Sequence, residues 1–337
     1  MKQFKTILPL ALGVLMLTGC SDDSSIEGTN PAAKDFSTLY VTTEALQVED
    51  GLTRSYLSRD FSTHMYAPAD EMRVYDNDLH MYDLYKFYWN DESQLKGVFK
   101  RKRETSFIEA AQWALYPSSD MAGGHWELNE TTGDAETIAE IRIGADKNGN
   151  ILPIVYDGTY QASDASKTKP LFTDFLPRWG QVAETADGTS LETHLSYLTG
   201  VLRLQLAGIT GHADHLKVQM LEGTTPLNIA GSFMAILTRN DVKQTDACLE
   251  INSYKKNSGG DHIIVDLTQA SGDLQGADAS KAVVFVPLVT TPGKTVDIVV
   301  SASNDGGTTY TEFKRFKNKT IQRGKVYGNS VEYDFTK

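Results

Sequence analysis

Two histidines three residues apart, in His212-Ala213-Asp214-His215, are the side chains of this sequence that come nearest to a metal-binding pattern. An imidazole pair around a carboxylate suits zinc, but a tetrahedral site needs further protein ligands. No third ligand is apparent, and Gly208 and Gly211 mark the segment as a turn between strands. Asp76-Asn77-Asp78-Leu79-His80, with Asp83, and Asp146-Lys147-Asn148-Gly149-Asn150 offer oxygen ligands of the kind calcium takes. The first lacks the glycine and terminal glutamate of an EF-hand loop and reads as a polar bend before a strand; the second reads as a hairpin turn. Glycoside hydrolysis needs two carboxylates at a set separation, and among 44 acidic residues no pair is singled out. A Gly-x-Ser-x-Gly elbow, a phosphate loop and a dinucleotide fingerprint are all missing. The expectation is a non-enzymatic protein with no cofactor and no metal.

The N-terminus carries a different chemistry. Lys2 and Lys5 precede an apolar run from Ile7 to Leu17, followed by Leu17-Thr18-Gly19-Cys20. This is the order of an export signal, and eleven residues fall short of the roughly 20 that cross a bilayer. The Leu-small-Gly-Cys order resembles the lipobox of bacterial lipoproteins, which implies cleavage before Cys20 and a diacylglyceryl, palmitate-bearing anchor on its sulfur. Two or three acyl chains hold a protein on a membrane essentially permanently. The following Ser21-Asp22-Asp23-Ser24-Ser25 looks like the acidic export signal of surface lipoproteins in Bacteroidetes-type bacteria, and residues 20–34 read as a lipidated, flexible tether.

Loss of Lys2 and Lys5 with a signal peptide of residues 1–19 takes the formal charge from −12 to −14, which argues against nucleic acid and anionic lipid surfaces as partners. The basic run Lys100-Arg101-Lys102-Arg103 reads as a solvated strand face. With Cys20 lipidated, Cys248 is the one cysteine left, so stability must come from an apolar core. Tyr82, Tyr85, Phe87, Tyr88 and Trp89 lie close together; alternation puts Tyr85, Phe87 and Trp89 on one face, where the expected fate is burial.

The elements that must position these residues are strands. Leu202, Leu204 and Leu206 alternate with Arg203 and Gln205; Ile263, Val265 and Leu267 with Ile264 and Asp266; Val296, Ile298 and Val300 with Asp297, Val299 and Ser301. At the C-terminal end Tyr327, Val331, Tyr333 and Phe335 share a face. Turn signals separate them, with Asn304-Asp305-Gly306-Gly307 the best hairpin candidate. Helical periodicity is nearly absent. The expectation is a mostly-β chain with two β-sandwich domains in tandem, residues 35–188 and 189–337, divided in the polar stretch around Gly188.

Several segments in order resemble the fimbrillin family, lipoprotein pilins of type V fimbriae: Thr53-Arg54-Ser55, DEMRVY at 70–75, YKFYWND at 85–91, AAQWALYP at 110–117, HLSYLTGVLRLQLAGI at 194–209, KAVVFVPL at 281–288 and RGKVYGNSVEYDF at 323–335. Residues 76–103 fit less well. The resemblance implies two transthyretin-like β-sandwiches, an outer-membrane, surface-exposed location, and a fimbrial subunit or accessory or anchor protein with a role in adhesion. It also implies a trypsin-like cut after Arg54, with Arg59 the second candidate, that releases the strand STLYVTTEALQV (37–48) and opens a groove for another subunit's strand. The donor in similar pilins is the C-terminal strand region, here Val326 to Phe335. Because the chain ends two residues after Phe335, an accessory or anchor position is favoured. Partners would be other fimbrial subunits by β-strand donation, the outer membrane through Cys20, and a host or glycan receptor. The alternative reading, from the aromatic run, is a surface glycan-binding lipoprotein of a polysaccharide-uptake system.

Overall fold

The alternating segments fold as β-strands, and no described residue is helical. The computed structural model describes residues 36–44, 46–48, 70–76, 81–90, 96–106, 108, 110–116, 122–128, 135–146, 150–155, 176–237, 249–251, 259–268, 280–328 and 332–337. The strands are β1 (Thr38–Thr43), β2 (Gln47–Val48), β3 (Glu71–Asp76), β4 (Met81–Asn90), β5 (Gly97–Arg101), β6 (Trp113–Tyr116), β7 (Ala122–Leu128), β8 (Ala135–Ile143), β9 (Ile154–Val155), β10 (Arg178–Glu184) and β11 (Leu191–Tyr197). They continue with β12 (Gly200–Ala207), β13 (His215–Glu222), β14 (Thr225–Pro226), β15 (Gly231–Leu237), β16 (Leu249–Ile251), β17 (Ile263–Asp266), β18 (Ala282–Leu288), β19 (Val296–Ser303), β20 (Thr311–Lys319), β21 (Lys325–Tyr327) and β22 (Glu332–Asp334).

Seven of these strands close on themselves in the order β1-β11-β10-β6-β3-β4-β5, because β5 returns to pair with β1. Where alternation over residues 35–188 suggests an open sandwich, the structure has a barrel. The physical reason is β1, which pairs in parallel with β11 and antiparallel with β5 and so seals both free edges. Leu39, Val41, Met72, Val74, Tyr85, Phe99, Leu191 and Leu195 come from alternate positions of the barrel strands and form one buried cluster. The opposite faces of β3, β6 and β10 contribute Tyr75, Trp113, Leu115 and Trp179 to a larger core shared with the later strands. Trp113 and Trp179 lie there with ring centroids 5.0 Å apart.

The remaining strands make three open sheets: β18-β12-β21-β2, with β22 also on β12; β20-β19-β13-β17-β9, with β14 on β13; and β16-β15-β8-β7. Leu202, Leu204 and Leu206 of β12, Ile263 and Val265 of β17, and Ile298 and Val300 of β19 all face the shared core. Gly188, the expected domain boundary, lies in the turn between β10 and β11, which pair with each other inside the barrel. The chain passes from the barrel to the sheet of β12 at Leu198–Thr199, and residues 35–337 cluster as one unit.

The C-terminal region is two short strands rather than one. Tyr327 pairs with Leu202 and Glu332 with Gln205, so five residues of this segment run against three of β12. The extra length is taken up from Gly328, whose φ of 79° and whose position against the Arg203 carbonyl, 2.4 Å from where a Cβ would stand, require glycine. Parity survives, and Tyr333 and Phe335 pack on the core, Phe335 with its ring 4.8 Å from that of Phe313.

A capped carboxylate fastens this end. Asp334 accepts from the Thr336 hydroxyl at 2.7 Å and amide at 2.9 Å, and Lys337 stands at 3.2 Å; these, the hydroxyl first, lower its pKa to about 2. Since the folded value is depressed, the contribution is present above about pH 4 and is lost as pH falls toward the folded value. The Phe335 amide, which donates to the Ala207 carbonyl at 3.0 Å, should therefore lose hydrogen-exchange protection across that window, and Asp334→Asn should remove the pH dependence. A protection factor that stays flat in the parent chain would contradict this.

Candidate functional site

The first described residues, 36–44 and 46–48, reach from the barrel to the sheet of β12. Their pattern drives β1 inward: Leu39 and Val41 are fully buried while Tyr40 and Thr42 are only partly so. The register runs from Leu39↔Leu191 to Thr43↔Leu195 on one side and from Thr38↔Lys100 to Val41↔Gly97 on the other. Beyond β1 the Glu44 amide donates to the Leu195 carbonyl at 2.8 Å, and its carboxylate accepts from the Tyr197 amide at 2.6 Å. Leu46 then enters a second buried cluster with Leu176, Tyr197, Val201, Val283, Phe285 and Val326. Finally the Gln47 amide donates to the Gly324 carbonyl at 2.7 Å, and β2 lies parallel to β21 at the end of its sheet.

Under this crossing sits Arg178, fully buried at the start of β10. Its guanidinium lies 4.2 Å from the Tyr116 ring centroid and 5.4 Å from that of Tyr197, and its Nε donates to the Leu176 carbonyl at 3.2 Å. Burial pushes the Tyr197 phenol up, partly opposed by Arg178. Neither Arg178 nor Glu44 stands out in the sequence, because the aromatic rings around Arg178 and the Tyr197 amide on Glu44 come from distant parts of the chain.

The remaining sequence-derived candidates separate. Cys20, Arg54, Arg59 and Cys248 lie outside the described residues, as do Asn77, Asp78 and His80. Asp76 and Asp83 are buried in the barrel: Asp76 accepts from the Ala110 amide at 2.8 Å, and Asp83 accepts from the Ser106 hydroxyl at 2.7 Å. Asp146 accepts from the Asn150 amide at 2.9 Å, and residues 147–149 lie outside the described residues. His212 is exposed in the turn after β12, whereas His215 opens β13 with its Nδ1 2.9 Å from Asp214. Among the described residues no cluster of three or more His, Cys, Asp or Glu side chains could hold a metal.

The basic run is tied down locally, with Lys102 on Glu71 at 2.8 Å and Arg101 on the carbonyls of Arg103 and Glu104, while Lys100 donates to Thr38 of β1. The aromatic run does not stay on one face. Tyr85 is buried with its hydroxyl on the Phe36 carbonyl, and Phe87 packs edge-on to Phe99 at 5.6 Å. A register shift between Phe87 and Trp89 reverses the parity, leaving Tyr88 66% and Trp89 44% exposed.

No protein-family model and no curated protein matches the chain. Solved structures similar to it include a candidate cell adhesion protein from Bacteroides ovatus, at 12% identity over 89% of this chain and 91% of that one with a TM-score of 0.39. A candidate cell adhesion protein from Bacteroides uniformis gives 12% identity over 88% and 93% with a TM-score of 0.40. The fimbrial anchor protein Mfa2 from Porphyromonas gingivalis gives 12% identity over 83% and 81% with a TM-score of 0.30. Those three are described as cell adhesion and fimbrial proteins.

Proposed function

We propose that this chain is a surface subunit, accessory or anchor protein of a type V fimbria, with a role in adhesion, lipidated at Cys20 and assembled by strand exchange at the groove that residues 36–48 occupy. The observation that carries the reading is the placement of that segment: inserted between β11 and β5, then continued to the outer side of β21. Its removal would free backbone edges on three strands and uncover the sites of Phe36, Leu39, Val41 and Leu46, all less than 9% exposed. Four such side chains are worth about 6–12 kcal/mol of burial, and each restored backbone hydrogen bond about 1 kcal/mol. Association costs about 4–15 kcal/mol. Burial covers the lower part of that cost, and a donated strand that also restores the hydrogen bonds covers the upper part. In the chain alone the donor candidates β21 and β22 are docked on β12, so donation requires their release or a donor from another subunit.

The test is limited digestion of the folded full-length chain with a trypsin-like protease, followed by N-terminal sequencing. The expected first new terminus is Ser55, or Asp60 if Arg59 is cut, with higher-order species appearing on gel filtration after the cut. Cleavage elsewhere with both bonds intact removes the processing step, and a clean cut that leaves a monomer removes strand exchange.

A further inference from the structure

The point where the N-terminal segment leaves the barrel is held by a side chain in place of the backbone ladder. The parallel pairing of β1 with β11 ends at Thr43↔Leu195, and the Glu44 amide still donates to the Leu195 carbonyl at 2.8 Å. In a parallel ladder that continued, the next β11 amide facing this strand, that of Tyr197, would donate to the Glu44 carbonyl. It donates to Glu44 Oε1 at 2.6 Å instead. The carboxylate stands in for the main chain, and the backbone is released to turn toward β21, where the Gln47 amide donates to the Gly324 carbonyl at 2.7 Å.

The surroundings fit a carboxylate. Oε1 lies against Gly324, where an added Cβ would stand only 3.1 Å from it. Tyr197 is fully buried, so its amide, left without an acceptor, would carry the desolvation cost of an unmade hydrogen bond. Burial pushes the Tyr197 phenol up, with Arg178 opposing the rise and Glu44 adding to it, so a buried cation and this anion act on one ring. A hydrogen bond to an ionised acceptor is roughly twice as strong as a neutral one.

A strand that replaces residues 36–48 meets the same constraint. With no side-chain acceptor at the place of Glu44, it satisfies the Tyr197 amide only by staying on β11 past the crossing, away from the Leu46 site and the edge of β21. Turning toward β21 without that acceptor leaves the amide unsatisfied. A glutamate at the turn meets both demands.

We infer that the strand accepted at this groove carries a glutamate at a fixed place: apolar residues two apart for the sites of Leu39 and Val41, the glutamate three residues after the second, and an apolar residue two beyond it for the site of Leu46, the whole running parallel to β11. This specifies the partner within the strand-exchange reading and rests on that reading. The apolar sites can be filled by many strands of alternating pattern, so Glu44 is the position that discriminates among donors.

The test takes the full-length chain after the trypsin-like cut and challenges it with a fluorescent peptide of residues 36–48, uptake being followed by anisotropy. The parent peptide should exchange in. Glu44→Gln in the peptide should weaken uptake at least about tenfold, the difference between a charge-assisted and a neutral hydrogen bond. Moving the charge by one place, with Glu44→Ala and Ala45→Glu together, should not recover it, and Gln47→Ala, at an exposed position, should leave uptake unchanged. In the intact chain, where no exchange is needed, Glu44→Ala should lower the hydrogen-exchange protection of the Tyr197 amide by at least about tenfold. Equal uptake of the parent and Glu44→Gln peptides, full recovery by the displaced charge, or an unchanged Tyr197 amide would each overturn the glutamate requirement and leave strand exchange standing. No uptake of the parent peptide would remove strand exchange itself, and this inference with it. Should the Glu44→Ala chain fail to fold, the peptide series decides alone.

Discussion

Leu39→Asp is expected to prevent the barrel from closing in the intact chain. Leu39 is fully buried between Leu191 of β11 and Phe99 of β5, its register partners on either side, and belongs to the cluster of Met72, Val74 and Tyr85. A carboxylate there has no described cation beside it and loses its water, so it must either stay protonated or expel the strand. The expected loss is about 4 kcal/mol or more, against a total stability of about 5–15 kcal/mol for a folded domain. Leu39→Val, which keeps the site apolar, should cost about 1 kcal/mol. Thermal unfolding followed by near-ultraviolet circular dichroism separates the two. The same contrast bears on assembly. A synthetic peptide of residues 36–48 should restore the melting temperature of a body from which the N-terminal segment has been cut away, and the peptide carrying aspartate at position 39 should not. Equal action of the two peptides would mean that the barrel does not depend on this strand, and the groove would lose its functional meaning.

How far the sequence shows this depends on the range of the information. Period-two alternation is local, and it holds: Leu202, Leu204 and Leu206 face the core, as do Ile263 and Val265. The Asn304-Asp305-Gly306-Gly307 signal likewise falls in the turn joining the antiparallel strands β19 and β20. Partner choice is not local. The parallel pairing of β1 with β11 joins residues about 150 apart, and no pattern within either strand announces it. Arg203 shows the consequence. Alternation marks it as a solvent-facing residue of β12, yet it is only 9% exposed, and burial lowers its pKa. Its face of the sheet is covered by a cluster that includes Leu46 and Leu176 from far upstream. Trp89 fails in the opposite direction, because one register shift undoes the parity on which its expected burial rests. The candidate groove was legible as a segment, residues 37–48, but not as a place. Glu44 and Arg178, at the crossing between the barrel and the next sheet, meet there Tyr197 and Tyr116, which are distant along the chain.

Gly180→Ala is expected to damage the same groove from behind. A Cβ at this position of β10 would stand 2.2 Å from the His194 carbonyl oxygen and 2.8 Å from the Thr193 hydroxyl. The first obstacle is backbone and cannot rotate away, so β11 would have to move. Its freedom to do so is small: Trp179↔Ser196 and Val182↔Thr193 fix the ladder on either side of the contact, and Arg178 anchors its start. On its other edge β11 carries β1, with Thr42 opposite His194 and Thr43 opposite Leu195. Displacing His194 therefore loosens β1 where the segment leaves the barrel for Glu44 and Leu46. Overpacking of this kind costs about 1–3 kcal/mol where side chains can yield, and more is expected where backbone must. The variant should melt well below the parent, and hydrogen exchange should show its largest loss of protection at the Glu44 amide, which donates to Leu195, before the β12 amides are affected. Uniform loss across the chain would instead mean that β1 and the later sheets unfold together, leaving no separately detachable strand for a neighbour to replace.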